Sequence, residues 1–279
     1  MNTNDTQELS RLVEQAVAGD RPSLEMVLAE IQDMVFNLSL RMLGSFHDAE
    51  DASQDILLKV MTHLSSFRGE SAFSTWVFRI AVNHLKDYKK HLFAQHPLSF
   101  EFYGEDIRSG RARDLPDMAQ DVDRTVLAEE LKLSCTNVML QCLDPESRCI
   151  FILGVMFRAD SRAAGDILGI TPEAYRQRLS RARRRMADFL SEYCGEYGGG
   201  SCRCADRIDY AIQNRRISPR RLEYTAARPS AATLAVKEAM EELDGLSSSF
   251  CRTYQSPETL RQSLRDFLDG PAFSAVVKA

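Results

Sequence analysis

Apolar residues recur at intervals of three and four along nearly the whole chain, and no stretch alternates apolar and polar positions long enough to make a strand. The pattern predicts an all-α fold. Asp144-Pro145-Glu146, Thr171-Pro172-Glu173 and Ser256-Pro257-Glu258 each offer an N-cap side chain, a proline in the first turn and an acid near the positive end of the helix dipole, which marks three helix starts. Two stretches interrupt the period. Residues 94–123 carry Pro97, Pro116, Gly104 and Gly110 among scattered charges and read as a linker, and Glu196-Tyr197-Gly198-Gly199-Gly200-Ser201 reads as a flexible break. The expected organisation is a helical domain over 1–93, the linker over 94–123, a smaller helical domain over 124–194 and a C-terminal extension over 195–279. Within that extension Ala231 to Leu243 and Ser256 to Leu268 pattern as amphipathic helices. No internal repeat is visible.

Composition narrows the function. A chain of 279 residues with 44% hydrophobic content is globular rather than disordered or fibrous. Seven cysteines are too few for a disulfide scaffold of this length, and the segment after Met1 lacks the basic start and apolar core of a signal peptide. No run approaches the roughly 20 apolar residues needed to cross a bilayer. The expectation is a soluble, cytoplasmic protein with reduced thiols and no membrane partner. Net charge is −5 but segregated: Glu173 to Arg185 holds six Arg against one Glu, whereas Glu101 to Glu146 holds eleven acids against five bases. Local basic patches on an acidic chain suit a nucleic-acid protein that also docks on another protein.

Three segments carry candidate chemistry. From Ala72 to about His91, Phe73, Trp76, Val77, Ile80, Ala81, His84, Leu85 and Tyr88 share one face, with Arg79, Asn83, Lys86, Asp87 and Lys90 on the other and Lys89 in the same basic run. Aromatic rings beside cations suit unpaired bases, since stacking is worth about 1–3 kcal/mol per base and cations hold phosphates; the same stripe also suits plain core packing. Ser161 to Leu168, the turn Gly169-Ile170-Thr171 and a helix from Pro172 form a helix-turn-helix. Tyr175, Leu179, Ala182, Met186, Phe189 and Leu190 make the inner stripe of its second helix. Gln177, Ser180, Arg181 and Arg184 then face a major groove, with Arg176, Arg178, Arg183 and Arg185 flanking towards phosphates. On the helix from Asp48 to about Leu64, Ala49, Ala52, Ser53, Ile56, Leu57, Val60 and Leu64 face inward and Asp48, Asp51, Asp55 and Lys59 outward. Those acids serve either solubility or docking.

The order of these pieces resembles bacterial RNA polymerase sigma factors of the extracytoplasmic-function (ECF) subfamily over roughly residues 9–194. The resemblance rests on Leu12 to Asp20, Asp48 to Asp55, Phe73 to Asn83 with Asp87 and Lys90, Leu143 to Arg148 and the Arg-rich helix. It implies a region 2 bundle and a region 4 helix-turn-helix domain joined by an acidic linker. The partners it implies are core RNA polymerase, promoter DNA as a −35 duplex and a melted −10 element, and an anti-sigma factor; no catalytic residues are expected. It gives Asp48, Asp51, Gln54 and Asp55 the polymerase-docking role and assigns the melted −10 bases to the aromatic helix and the preceding loop, Ser65 to Ala72. Separated bases cost a few kcal/mol to unstack, which a pocket and stacking return. Two positions depart from the pattern: Val82 stands where the family often has a basic residue, and Ala163-Ala164-Gly165 replaces a Glu-Ile-Ala-like run.

Around the Gly-rich break, Cys194, Cys202 and Cys204 are candidate ligands for Zn or Cu, with Cys251 a distant fourth, or a thiol switch, or ordinary reduced thiols. Cys135, Cys142 and Cys149 read as small core residues. The second functional reading is a free-standing helix-turn-helix activator or repressor with a metal- or redox-sensing tail, which would not need the Asp-rich helix followed by the aromatic helix. An enzyme finds no support in the motifs, and Gly198-Gly199-Gly200 lacks the Lys-Ser/Thr of a P-loop.

Overall fold

The computed structural model describes residues 3–92, 98–109, 116–119, 121–227 and 252–270. Among them every regular element is helical, and β pairing is limited to two isolated bridges. The chain forms two compact units.

The first unit holds α1 (Thr3–Val17), α2 (Arg21–Leu43), α3 (Phe46–Thr62), a 3₁₀ turn (Leu64–Ser66), α4 (Phe73–Leu92) and, from the far end of the sequence, α11 (Glu258–Asp269). Asp20 caps α2 by accepting from the Ser23 N–H at 3.0 Å, and Gly44 closes it in the left-handed conformation with its N–H on the Leu40 carbonyl at 2.7 Å. Every residue from Val35 to Leu43 is buried, because α1, α3 and α4 all pack against α2. On α3 the inward set Ala49, Ala52, Ser53, Ile56, Leu57 and Val60 is buried as its spacing predicts. Helix α11 packs against α3 with Leu260, Leu264 and Leu268 buried at i, i+4 and i+8. At about 1.5–3 kcal/mol per buried leucine, that contact is substantial. The expected helix over 231–243 lies outside the described residues.

The second unit holds α5 (Phe100–Ser109), α6 (Arg124–Gln141), α7 (Pro145–Phe151) running into a π turn (Ile152–Met156), α9 (Pro172–Tyr193), a 3₁₀ turn (Ala205–Arg207) and α10 (Ile208–Gln213). Helix α8 (Ser161–Leu168) precedes α9. Helix α5 occupies part of the segment expected as linker. Its Phe100 and Tyr103 rings pack on Phe189 of α9 at 5.1 and 5.6 Å, and the Tyr193 ring lies so close to Gly104 that a Cβ there would sit 2.4 Å from it. The glycine that reads as a break is a close-packing position.

Buried charge organises this unit. The Arg148 side chain, 2% exposed, donates from Nε to the Leu140 carbonyl (2.7 Å) and from Nη2 to those of Gln141 (3.0 Å) and Leu143 (2.8 Å), closing the C-terminal end of α6. Burial pulls its pKa down to about 10. Glu130 on α6, equally buried, accepts from the N–H groups of Glu223 (2.7 Å), Tyr224 (3.0 Å) and Thr225 (2.7 Å) and from the Thr225 hydroxyl (2.8 Å). Asp106 on α5 takes Tyr210 Oη at 2.7 Å, Arg216 Nη1 at 2.6 Å and Arg207 Nη2 at 3.1 Å. Residues 205–225 of the extension are thus fastened to α5 and α6. The Gly-rich stretch is not a loose break either: Cys202 N–H bonds to the Tyr193 carbonyl (3.0 Å) and Gly195 N–H to the Cys202 carbonyl (2.8 Å). A Cβ on Gly200 would lie 2.1 Å from the Tyr193 carbonyl carbon, so the loop closes only with glycine there.

Two predictions follow from the carboxylates. Glu130→Ala strands three N–H groups, one buried and two partly so, and should cost roughly 2–4 kcal/mol in urea unfolding, with faster amide exchange at 223–225. Burial alone would raise the pKa of Asp106, but bonds from Arg216 and Tyr210 and the charges of Arg216 and Arg207 hold it below the ordinary value. Its stabilisation is therefore complete at neutral pH and lost as pH falls below about 4 through the lowered pKa. Amide exchange over residues 205–216 should accelerate in that acid range, and Asp106→Asn should reproduce the effect at pH 7.

Candidate nucleic-acid interface

Helix α4 is buried along two sides, by Phe73, Val77 and Ala81 and by Phe78, Val82 and Leu85. Its remaining edge, with Trp76, Ile80, Asn83, His84 and Asp87, joins Lys59, His63 and Ser66 around a pocket of about 380 Å³. Phe73 stacks under Trp76 at 5.6 Å, and Phe67 packs on both rings at 5.2 and 5.6 Å, which ties the loop before α4 to the helix. Phe73, expected to meet bases, is only 6% exposed, so it backs the pocket while Trp76 lines it. Val82 is fully buried, so the position where the family often has a basic residue faces the core. Arg79 and Asn83 are exposed and Lys86 is half-buried; the side chains of Lys89 and Lys90 lie outside the described residues.

At the pocket wall, His84 Nδ1 lies 2.7 Å from Lys59 Nζ and its Nε2 3.7 Å from the Asp55 carboxylate. Burial first, then the Lys59 charge, lowers the His84 pKa, which keeps the ring neutral at pH 7 and able to accept from Lys59. Asp55 thus connects the outer face of α3 to the pocket, a link that no spacing rule on either helix alone reveals. Asp51 and Asp55 each keep 57% of the side chain exposed, while Asp48, in the first turn of α3, and Gln54 are half-buried. Burial and then the charges of Asp48, Asp51 and Asp55 raise the Tyr88 pKa, so these acids act as one negative field.

In the second unit Thr171 caps α9, accepting from the Ala174 N–H at 3.2 Å, after a turn in which Gly169 has φ of 68°. Tyr175, Ala182, Met186, Phe189 and Leu190 are buried and Leu179 is half-buried, as the stripe predicts. Gln177, Ser180, Arg181 and Arg184 are exposed on the opposite side. The arginines divide by partner. Arg176 bonds Ser161 Oγ (3.0 Å) and Glu173 (2.7 Å), Arg178 pairs with Glu146, Arg183 reaches the Gly154 carbonyl at 3.5 Å and Arg185 lies over the Phe100 ring at 5.4 Å. Arg181 and Arg184 have no ion pair or hydrogen bond among the described residues. Two unpaired cations beside Gln177 and Ser180 match what a major groove presents: phosphates at its edges and acceptors on guanine.

The backbones at Cys194 and Cys202 pair in an isolated parallel bridge. The Cys204 thiol is pushed up by burial and then by Cys135, Cys202 and Cys194, and Cys135, which accepts from Tyr103 Oη at 3.1 Å, is pushed up to about 12, chiefly by burial. Cys135 of α6 therefore neighbours the extension thiols, which its sequence position does not betray. Among the described residues no group of three or more His, Cys, Asp or Glu is placed to hold a metal ion. Cys251 lies outside the described residues. No helix among the described residues is long and apolar enough to cross a membrane.

Residues 28–92, which span most of the pocket-bearing unit, match the Sigma-70 region 2 family. The ECF RNA polymerase sigma-E factor of Haemophilus influenzae is 35% identical over 152 residues, covering 48% of this chain and 78% of that protein. The RNA polymerase sigma-H factor of Pseudomonas aeruginosa is 26% identical over 188 residues, covering 66% of this chain and 95% of that protein. A solved structure of CnrH in complex with the cytosolic domain of CnrY aligns with a TM-score of 0.48 at 21% identity, over 64% of this chain and 94% of that one. The chain belongs to the ECF family of RNA polymerase sigma factors. Membership in that family replaces the reading as a free-standing activator or repressor.

Trp76→Ala should lower promoter opening, followed by permanganate footprinting, more than duplex binding, followed by gel shift. Equal losses would make Trp76 a packing residue only.

Proposed function

We propose that this sigma factor docks on core RNA polymerase through Asp48, Asp51, Gln54 and Asp55 and holds melted −10 bases in the pocket at Trp76, with Arg79, Asn83, Lys86, Lys89 and Lys90 along the strand. It reads −35 duplex with Gln177, Ser180, Arg181 and Arg184, flanked by Arg176 and Arg183. The observation that carries the reading is the unpaired, exposed state of Arg181 and Arg184 on a helix whose other arginines are engaged. Charge left in water on a capped, rigid helix is available to a polyanion at no cost in broken pairs. The protein acts as a non-catalytic specificity subunit in the cytoplasm, with an anti-sigma factor as a further partner. The extension regulates it in cis, and Cys194, Cys202 and Cys204 supply sensitivity to Zn, Cu or oxidation.

Run-off transcription with core polymerase and this chain on fragmented source DNA should yield discrete new transcripts, and a thiol-metal chelator should change their yield; absence of transcripts under every condition counts against the reading. Arg181→Ala and Arg184→Ala should each cost about 1–3 kcal/mol of duplex affinity with unchanged polymerase binding.

A further inference from the structure

We infer that α11 is a displaceable latch on the docking helix α3, and that it competes with core polymerase for that helix; this rests on the docking role proposed for Asp48 to Asp55. Three observations meet in one place. Helix α11 packs against α3 itself, through an amphipathic face whose leucines are all buried. Its start is tied to α2, where Asp33 accepts from the Ser256 N–H at 2.8 Å and pairs with Arg261 at 3.7 Å, and its end is tied by Asp269 to Arg21 at the start of α2. Yet Asp51 and Asp55 stay exposed, so α11 is seated on α3 without covering these carboxylates.

The geometry decides what this seat does. A stable protein interface buries about 800 Å² on each partner, far more than a few side chains on one helix provide. A partner that engages the outer face of α3 must therefore spread over its neighbours, and a helix packed on α3 has its axis only about 8–10 Å away. Helix α11 thus lies within the footprint of anything that uses α3 as a platform. The chemistry agrees, because the partner for an acidic face is cationic, and α11 already sets Arg261 on a carboxylate of this same unit. The polar ties are suited to exchange: Arg21 and Asp269 are largely exposed, Arg261 and Asp33 partly so, and exposed pairs contribute little and are screened by salt. The latch is held mainly by three leucines and by its covalent attachment to the chain, which keeps its local concentration high.

A closed latch lowers apparent affinity by the fraction of molecules that are open. The test compares the full chain with Leu264→Asp, which puts a charge into the α11 contact while leaving α1 to α4 intact, in a fluorescence titration against core RNA polymerase. Binding should tighten about tenfold, and a synthetic peptide of residues 255–270 added in trans should reverse the gain. Asp33→Ala, which removes the partner of Ser256 and Arg261 but no apolar contact, should tighten binding by a smaller factor, and it carries the test if Leu264→Asp fails to fold. Unchanged or weaker binding by the folded variants, or a gain that the peptide does not reverse, overturns the latch. Binding by none of the chains, wild type included, overturns the docking role of α3 and the latch with it.

Discussion

A charge taken out of water without a partner costs more than any single packing contact returns, so the charges that organise this protein are either engaged inside or left outside. The second unit is built on the first option. Arg148 closes the end of α6, Glu130 collects the backbone of residues 223–225, and Asp106 draws in Arg207, Tyr210 and Arg216. Arg148 acts within eight residues of itself, whereas Glu130 and Asp106 each join segments about a hundred residues apart. They turn an extension that would otherwise be a tail into part of the body. The surface takes the second option: Arg181 and Arg184 on α9, and Asp51 and Asp55 on α3, keep their charge for something else.

The first unit separates its tasks by helix face. The second half of α2, Val35 to Leu43, is enclosed and gives the bundle its core, while α3 and α4 each keep one side free. On α3 the free side is acidic; on α4 it is an aromatic and amide-lined pocket. The two sides meet at His84, which contacts Lys59 and approaches Asp55, both from α3. The acidic face of α3 and the pocket on α4 therefore share side chains, and a change at one has a short physical path to the other. Helix α11 on the flank of α3 adds a third claim on that helix.

The all-α character, the helix starts at Asp144 and Thr171, the inward stripe of α3 and the exposed side of α9 are legible from periodicity and capping alone. They depend on interactions within four residues, which a linear pattern carries in full. What periodicity blurs is depth. Phe73 and Trp76 lie on one stripe, yet one is core and the other lines the pocket, because only the packing of Phe67 and of α2 decides which ring is covered. Helix α5 is hidden for a related reason: Gly104 and a charged context mimic a linker until Phe189 and Tyr193 of α9 supply the surface that folds it.

By itself, then, the chain determines its helices, their apolar faces and the clusters of charge, since these follow from side-chain chemistry at fixed helical spacing. Tertiary structure alone decides which charges are spent inside and which remain free. It also decides that Cys135 neighbours the thiols of the extension, that residues 205–225 brace α5 and α6, and that α11 settles on α3. Those outcomes depend on desolvation and on contacts between residues about 60 to 220 positions apart, whose energies exist only once the surfaces have met.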